Sequence, residues 1–127
     1  VLDHMTSKFV ERKVYYPGQK IFGEGEEGNR AYLVEKGLIE IVKRDEGGEN
    51  KVLGTISAGG IFGEMALIDN QPRMASAFAA AETAVTIIPR QAFEEKLKHA
   101  DPFLRALLTI FVRNIRALTS EKLKRGG

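Results

Sequence analysis

With 127 residues, 43% of them apolar and 28% charged, the chain has the size and balance of one globular domain with a real core. It has no cysteine, which excludes disulfides and thiolate metal sites, and its only imidazoles, His4 and His99, stand near opposite ends, which argues against a metalloenzyme. No apolar run approaches the roughly 20 residues that cross a bilayer and no signal-peptide pattern appears, so a cytoplasmic protein without a membrane segment is expected.

The opening Val1-Leu2-Asp3-His4-Met5 is read as a vector remnant ahead of a start at Met5. From about residue 13 to 89 the chain is strand-like and punctuated by glycine. Apolar or aromatic runs recur at 14–16, 21–22, 31–34, 38–42, 52–56, 61–62, 75–79 and 84–88. Turn signals separate them at Pro17-Gly18, Gly25 to Asn29, Lys36-Gly37, Gly47-Gly48 and Gly59-Gly60. Short strands at this spacing, with no helix between them, predict a mainly β fold, an eight-stranded antiparallel jelly roll or β-roll. The runs either side of the polar loop 45–50 read as a hairpin with an exposed tip.

Past Pro89 the period changes. Residues 91–99 predict a short helix with Phe93 and Leu97 four apart, and Asp101-Pro102 then supplies an N-cap followed by proline at the first helical position. From there Leu104, Leu108, Phe111, Ile115 and Leu118 repeat at intervals of four and three, one apolar stripe on a long helix. Phe103, Ala106, Leu107, Ile110 and Ala117 add a second apolar surface. Either the whole helix packs within its own domain, or one face packs on the sheet and the other takes a partner helix. The expected organisation is one domain over 1–127, with the β-roll at about 13–89 and C-terminal helices at about 90–125. Charge is uneven: residues from Pro102 onward carry +5 and the preceding ones −3. The bland reading is a solvated helix face whose late cations match its dipole; the alternative is a nucleic-acid patch.

Residues 62–76, Phe-Gly-Glu-Met-Ala-Leu-Ile-Asp-Asn-Gln-Pro-Arg-Met-Ala-Ser, carry the chemistry. A strand ends at Phe62, and Gly63 lets the backbone approach a ligand with no Cβ in the way. Residues 64–67 suit one helical turn whose first N–H groups lack internal partners. Arg73 can reach back and set an always-charged fork on the same anion. A carboxylate beside an anion site repels phosphate, but it suits a ligand carrying a hydroxyl close to its phosphate, because Glu64 is a strong acceptor for that proton. A ribose 2′-OH next to a cyclic phosphate meets that description. The competing reading pairs Glu64 with Arg73 across a surface loop.

Taken in order, these residues resemble the phosphate-binding cassette of the cyclic-nucleotide-binding domain family: Phe-Gly-Glu-(Leu/Met)-Ala-Leu, a short loop, then Pro-Arg-x-Ala-(Ser/Thr). Residues 16–25, 32–37 and 58–61 resemble the family's early strands and its approach to the cassette. The resemblance implies that Glu64 accepts the ribose 2′-OH and Arg73 binds the cyclic phosphate. Backbone N–H groups of Gly63, Glu64, Met65 and Ala75 would line it, within a cassette that includes Ala66. Met74 stands where the family often has Ser, Thr or Ala, and without a threonine hydroxyl it weakens a cyclic GMP assignment in favour of cyclic AMP. Thr119-Ser120-Glu121-Lys122 resembles a stretch of catabolite-activator-like members, which implies that Thr119 reads adenine and Ser120 reaches the nucleotide of a partner subunit in a homodimer formed through the C-terminal helix. By the same resemblance Ile41 and Leu53 wall the ribose and base. The family role is a non-catalytic sensor without a cofactor, in which ligand binding moves residues 103–118. The alternatives are a cyclic GMP-binding member and a ligand-free docking module. A metal-dependent cupin needs histidines on neighbouring strands, and none lies between Met5 and Lys98. DNA binding would require residues that this chain does not contain.

Overall fold

The computed structural model describes residues 11–126, with side chains as far as Ser120; Val1 to Met5 and the side chains of Glu121 to Arg125 lie outside the described residues. All eight runs form strands, with ends displaced by one or two residues. They are β1 (Arg12–Tyr15), β2 (Lys20–Phe22), β3 (Arg30–Lys36), β4 (Leu38–Arg44), β5 (Asn50–Ser57), β6 (Ile61–Phe62), β7 (Ser76–Ala79) and β8 (Thr83–Pro89). They pair antiparallel in two four-stranded sheets, ordered β1-β8-β3-β6 and β2-β7-β4-β5. The fold is mainly β, as the spacing of runs and turns required.

Alternation along β3 shows how the sheets are filled. Tyr32 and Val34 turn inward to join Tyr15, Ile39, Phe62, Ala77, Val85 and Ile87 in the core between the sheets. Ala31 and Leu33 point the other way, into a second cluster with Leu67, Ile88, Ala92 and Phe93. That second cluster is the seat of two helices, α1 (Met65–Asp69) and α2 (Arg90–Lys98). Strand β8 is covered on both faces, and the two polar residues it buries, Thr83 and Thr86, are both hydrogen-bonded through their hydroxyls. Helix α1 starts one residue later than expected and stops where Asn70 takes the left-handed conformation at φ 57°, its N–H bonded to the Ala66 carbonyl. The β4–β5 hairpin carries a bulge where the register slips between Ile41 and Val42, so that Ile41 faces Gly54 and Val42 faces Val52.

Helix α3 (Pro102–Gly126) begins as its sequence dictates, with Asp101 Oδ1 accepting the Phe103 N–H at 2.7 Å. Its packing is neither wholly internal nor chiefly against a sheet, and it leaves an apolar face exposed. The stripe of Leu104, Leu108, Phe111, Ile115 and Leu118 is exposed, Leu118 by 65%, and so are Phe103 and Ile110 of the second surface. The helix leans instead on α1 through a narrower edge, in which Val112 is buried and Thr109, Arg116 and Thr119 are half-buried. Both sheets already fill their shared interior with their own side chains, so among the described residues the amphipathic helix outside them packs mainly on the cassette helix. Among the described residues no helix is long and apolar enough to cross a membrane.

Candidate functional site

Arg73 is the centre of the site. It lies on the loop between α1 and β7, yet only 6% of its surface is exposed. Its backbone is clamped by the β2–β3 loop, with the Gly25 N–H donating to its carbonyl at 2.9 Å and its own N–H donating to Glu26 O at 2.8 Å. Its Nη1 donates to the Gly63 carbonyl at 2.6 Å and its Nη2 to the Arg30 carbonyl at 2.8 Å. The guanidinium lies 4.0 Å over the Phe22 ring, a cation–π contact, and its Nε is buried without a partner. Two glycines make room for it. A Cβ on Gly28 would fall 2.6 Å from Arg73 Cζ, while Gly63 holds φ +78° and a Cβ there would press on Arg73 Nη1, Phe22 and Tyr32. No ion pair neutralises Arg73 among the described residues, and burial pulls its pKa down. A buried cation without a counter-charge is unfavourable, and an anion in the adjoining space would supply that charge.

Glu64 occupies the N-cap position of α1 and makes no side-chain cap hydrogen bond. Burial pushes its carboxyl up, opposed by its own backbone N–H and by the Arg73 charge. The carboxylate stands within the field of Arg73 without being tied to it in an ion pair, which removes the reading of the two as a surface pair. Arg90 braces this region from the first turn of α2. Its guanidinium donates to Asn70 Oδ1 at 2.8 Å and to the Gly28 carbonyl at 2.7 Å, fixing the end of α1 against the loop that cradles Arg73.

Gly63, Glu64, Met65, Ala66, Arg73, Met74, Ala75 and Ile41 all line one cavity of ≈ 180 Å³. Phe22, Ile56, Ile61, Phe62 and Arg116 complete its lining. The cavity thus brings the buried Arg73 cation and the Glu64 carboxylate together with a largely apolar wall to which Arg116 adds a second cation, an arrangement suited to an anionic head with an apolar body. Three of the candidate residues stand outside the lining. Leu53 is the extra residue of the β4–β5 bulge, between Gly54 opposite Ile41 and Val52 opposite Val42. Thr119 is half-buried on the inner edge of α3, and Ser120 is exposed.

Arg116 is one of the cations that give the residues from Pro102 onward their positive charge. It makes a two-pronged pair with Asp69, its Nη2 3.1 Å from Oδ1, and donates through Nη1 to the Pro72 carbonyl at 3.0 Å. Its only sequence signal is its i+4 spacing from the buried Val112. The cation-binding role of Phe22 and the clearance at Gly28 carry no local signal either, since both depend on where Arg73 folds.

The family model for the cyclic nucleotide-binding domain matches residues 12–100, the β-roll, the cassette and α2. The chain belongs to the cyclic nucleotide-binding domain family. Relatives of this domain include the cyclic AMP receptor protein of Thermus thermophilus, 28% identical across 88% of the chain. A cAMP-dependent protein kinase regulatory subunit of Yarrowia lipolytica is 36% identical across 79% of it. The chain spans 52% of the first relative's length and 26% of the second's. Among solved structures, the cAMP-bound form of the EAL enzyme Bd1971 superposes with a TM-score of 0.79 at 34% identity, covering 91% of this chain and 32% of that one. The cGMP-bound form of the same enzyme gives 0.78 at 35% identity, covering 84% of this chain and 28% of that one.

Proposed function

We propose that this cyclic nucleotide-binding domain is a sensor that binds cyclic AMP in preference to cyclic GMP, performs no chemistry on it, and relays binding through its C-terminal helices. The observation that carries the reading is the buried Arg73 guanidinium, without an ion-pair partner among the described residues, facing a cavity that also holds Glu64. Arg73 takes the cyclic phosphate, Glu64 accepts the neighbouring ribose 2′-OH, and Ile41 and Ile56 flank the ribose and base. Preference for adenine is supported by Met74, which lacks a hydroxyl to meet a guanine amino group, and by relatives whose names specify cyclic AMP. Calorimetric titration tests the reading: one cyclic AMP per chain is expected, with weaker cyclic GMP binding. No binding of either nucleotide would sink the assignment, and tighter cyclic GMP binding would reverse the base preference.

The relay runs through Arg116. Its pair with Asp69 and its bond to Pro72 O tie α3 to the cassette loop beside the cavity it lines. Thr119 lies three residues on, on the same edge, so inward movement of α3 brings it towards the base. Spin labels on the exposed Ala58 and Arg113 should report a distance change on adding cyclic AMP; an unchanged distribution removes the relay. The exposed stripe at four- and three-residue intervals is the seam of a two-stranded coiled coil, which supports a second copy of this chain as its occupant. Ser120 then stands towards that copy. Phe111→Asp is expected to convert a dimer to a monomer in light scattering, whereas a wild-type chain monomeric at tens of micromolar would rule the seam out.

A further inference from the structure

Lys43 lies on β4 beyond the bulge, outside the cavity lining, with only 17% of its side chain exposed. Its Nζ donates to the Met74 carbonyl at 2.8 Å and to Glu24 Oε2 at 3.1 Å. Glu24 is held in turn: its Oε1 accepts the Arg44 N–H at 3.1 Å, and its own N–H donates to Ser76 Oγ at 2.9 Å. A three-sided brace therefore joins the β2–β3 loop and β4 to the short segment between Arg73 and β7.

We propose that Lys43, oriented by Glu24, is a positioning residue for anion recognition that acts through the Met74–Ala75 peptide plane. The proposal rests on reading the cavity as the cyclic-nucleotide site. The described chain contains no cis peptide, and in a trans peptide the C=O and N–H point in opposite directions. Fixing the Met74 oxygen on an ammonium outside the cavity fixes the Ala75 N–H on the other side, where Met74 and Ala75 line the cavity beside Arg73. Without that anchor the plane is free to rotate about its two flanking dihedrals, and rotation would turn a carbonyl dipole towards the phosphate in place of an N–H donor. The charge on Lys43 also polarises the plane in the sense that strengthens the donor.

A simpler account gives Lys43 only a positive charge near an anion. The two accounts differ in sign at Glu24. Removing that carboxylate loosens Lys43 and weakens binding if Lys43 positions the plane, but it deletes a nearby negative charge and tightens binding if charge alone matters. The full chain as wild type, Lys43→Met, Lys43→Arg and Glu24→Ala is titrated with cyclic AMP by calorimetry, alongside thermal melts and amide spectra. Lys43→Met is expected to bind about tenfold more weakly, with Lys43→Arg restoring most of the loss and Glu24→Ala weaker than wild type. The ligand-induced shift of the Ala75 amide should shrink in Lys43→Met while that of the Glu64 amide persists, a change that general destabilisation would not produce. Wild-type affinity in Lys43→Met, or tighter binding in Glu24→Ala, overturns the positioning role while leaving the site intact. If Lys43→Met fails to fold, the sign of the Glu24→Ala effect decides. No cyclic AMP binding by the wild-type chain overturns the site reading and this role with it.

Discussion

Arg73→Ala is expected to weaken cyclic AMP binding by roughly 30- to several-thousand-fold, the range that corresponds to losing one partner of a buried charge pair, about 2–5 kcal/mol. The fold should survive the change, because opposing effects meet at this side chain. Alanine removes a buried cation that has no ion-pair partner among the described residues, which is favourable. It also strips hydrogen bonds from the Gly63 and Arg30 carbonyls and uncovers the Phe22 ring, which is not. Arg73→Lys separates charge from geometry: an ammonium keeps the charge but lacks the planar fork that reaches two carbonyls and an anion together. It should therefore fall between wild type and alanine. Calorimetry with parallel circular dichroism measures both properties, and an alanine variant that is folded and binds at wild-type strength would remove Arg73 from the site.

Sequence reasoning reached the strands, the cassette and the start of α3 because each is written locally. Glycine and polar turns separate the apolar runs, and Asp101-Pro102 announces the long helix within two residues. What it missed depends on distant pairs. Arg116 meets Asp69 across 47 positions, so in sequence it counts only as one more cation in a basic tail. Gly28 belongs to a turn in any local reading, whereas its Cα packs against a guanidinium 45 positions away. Leu53 shows a smaller effect of the same kind: it is the extra residue of β5 at the bulge, so strand alternation alone does not give its direction.

The long helix shows the same limit from another side. Periodicity establishes that residues 104, 108, 111, 115 and 118 share a face, but not what covers that face. The sheets were the natural candidate, and the structure leaves the stripe bare because the β-roll closes on its own side chains. The edge that does pack is the one bearing Val112 and Arg116, so among the described residues the helix is held beside the cavity by a narrow strip around Val112, the Arg116–Asp69 pair and the Arg116 bond to Pro72 O. A contact so small is easily shifted, which suits an element whose proposed task is to move when the cavity fills.

Glu64→Gln should separate binding from stability in opposite directions. A glutamine is a weaker acceptor for a ribose hydroxyl than a carboxylate, so cyclic AMP affinity should fall by roughly 10- to 150-fold, the equivalent of one hydrogen bond to a charged group. Stability at neutral pH should rise. Burial holds the Glu64 pKa above its ordinary value of 4.5, so the folded state binds that proton more tightly than the unfolded state does. Between 4.5 and the raised folded value, the stability of the wild-type chain therefore declines as pH increases, and above that window the full penalty of the buried carboxylate remains. Glutamine does not titrate, so the variant should melt at a higher temperature than wild type at pH 7, with the advantage fading as pH falls through that window and gone below 4.5. Binding should show the complementary effect, since only the ionised carboxylate is the strong acceptor: wild-type affinity declines as acid protonates Glu64, while the weaker affinity of the variant stays level. Thermal melts and calorimetric titrations across the acid range read both curves. A variant that melts below wild type at pH 7 while keeping its affinity would make Glu64 a structural cap of α1 rather than a ligand acceptor.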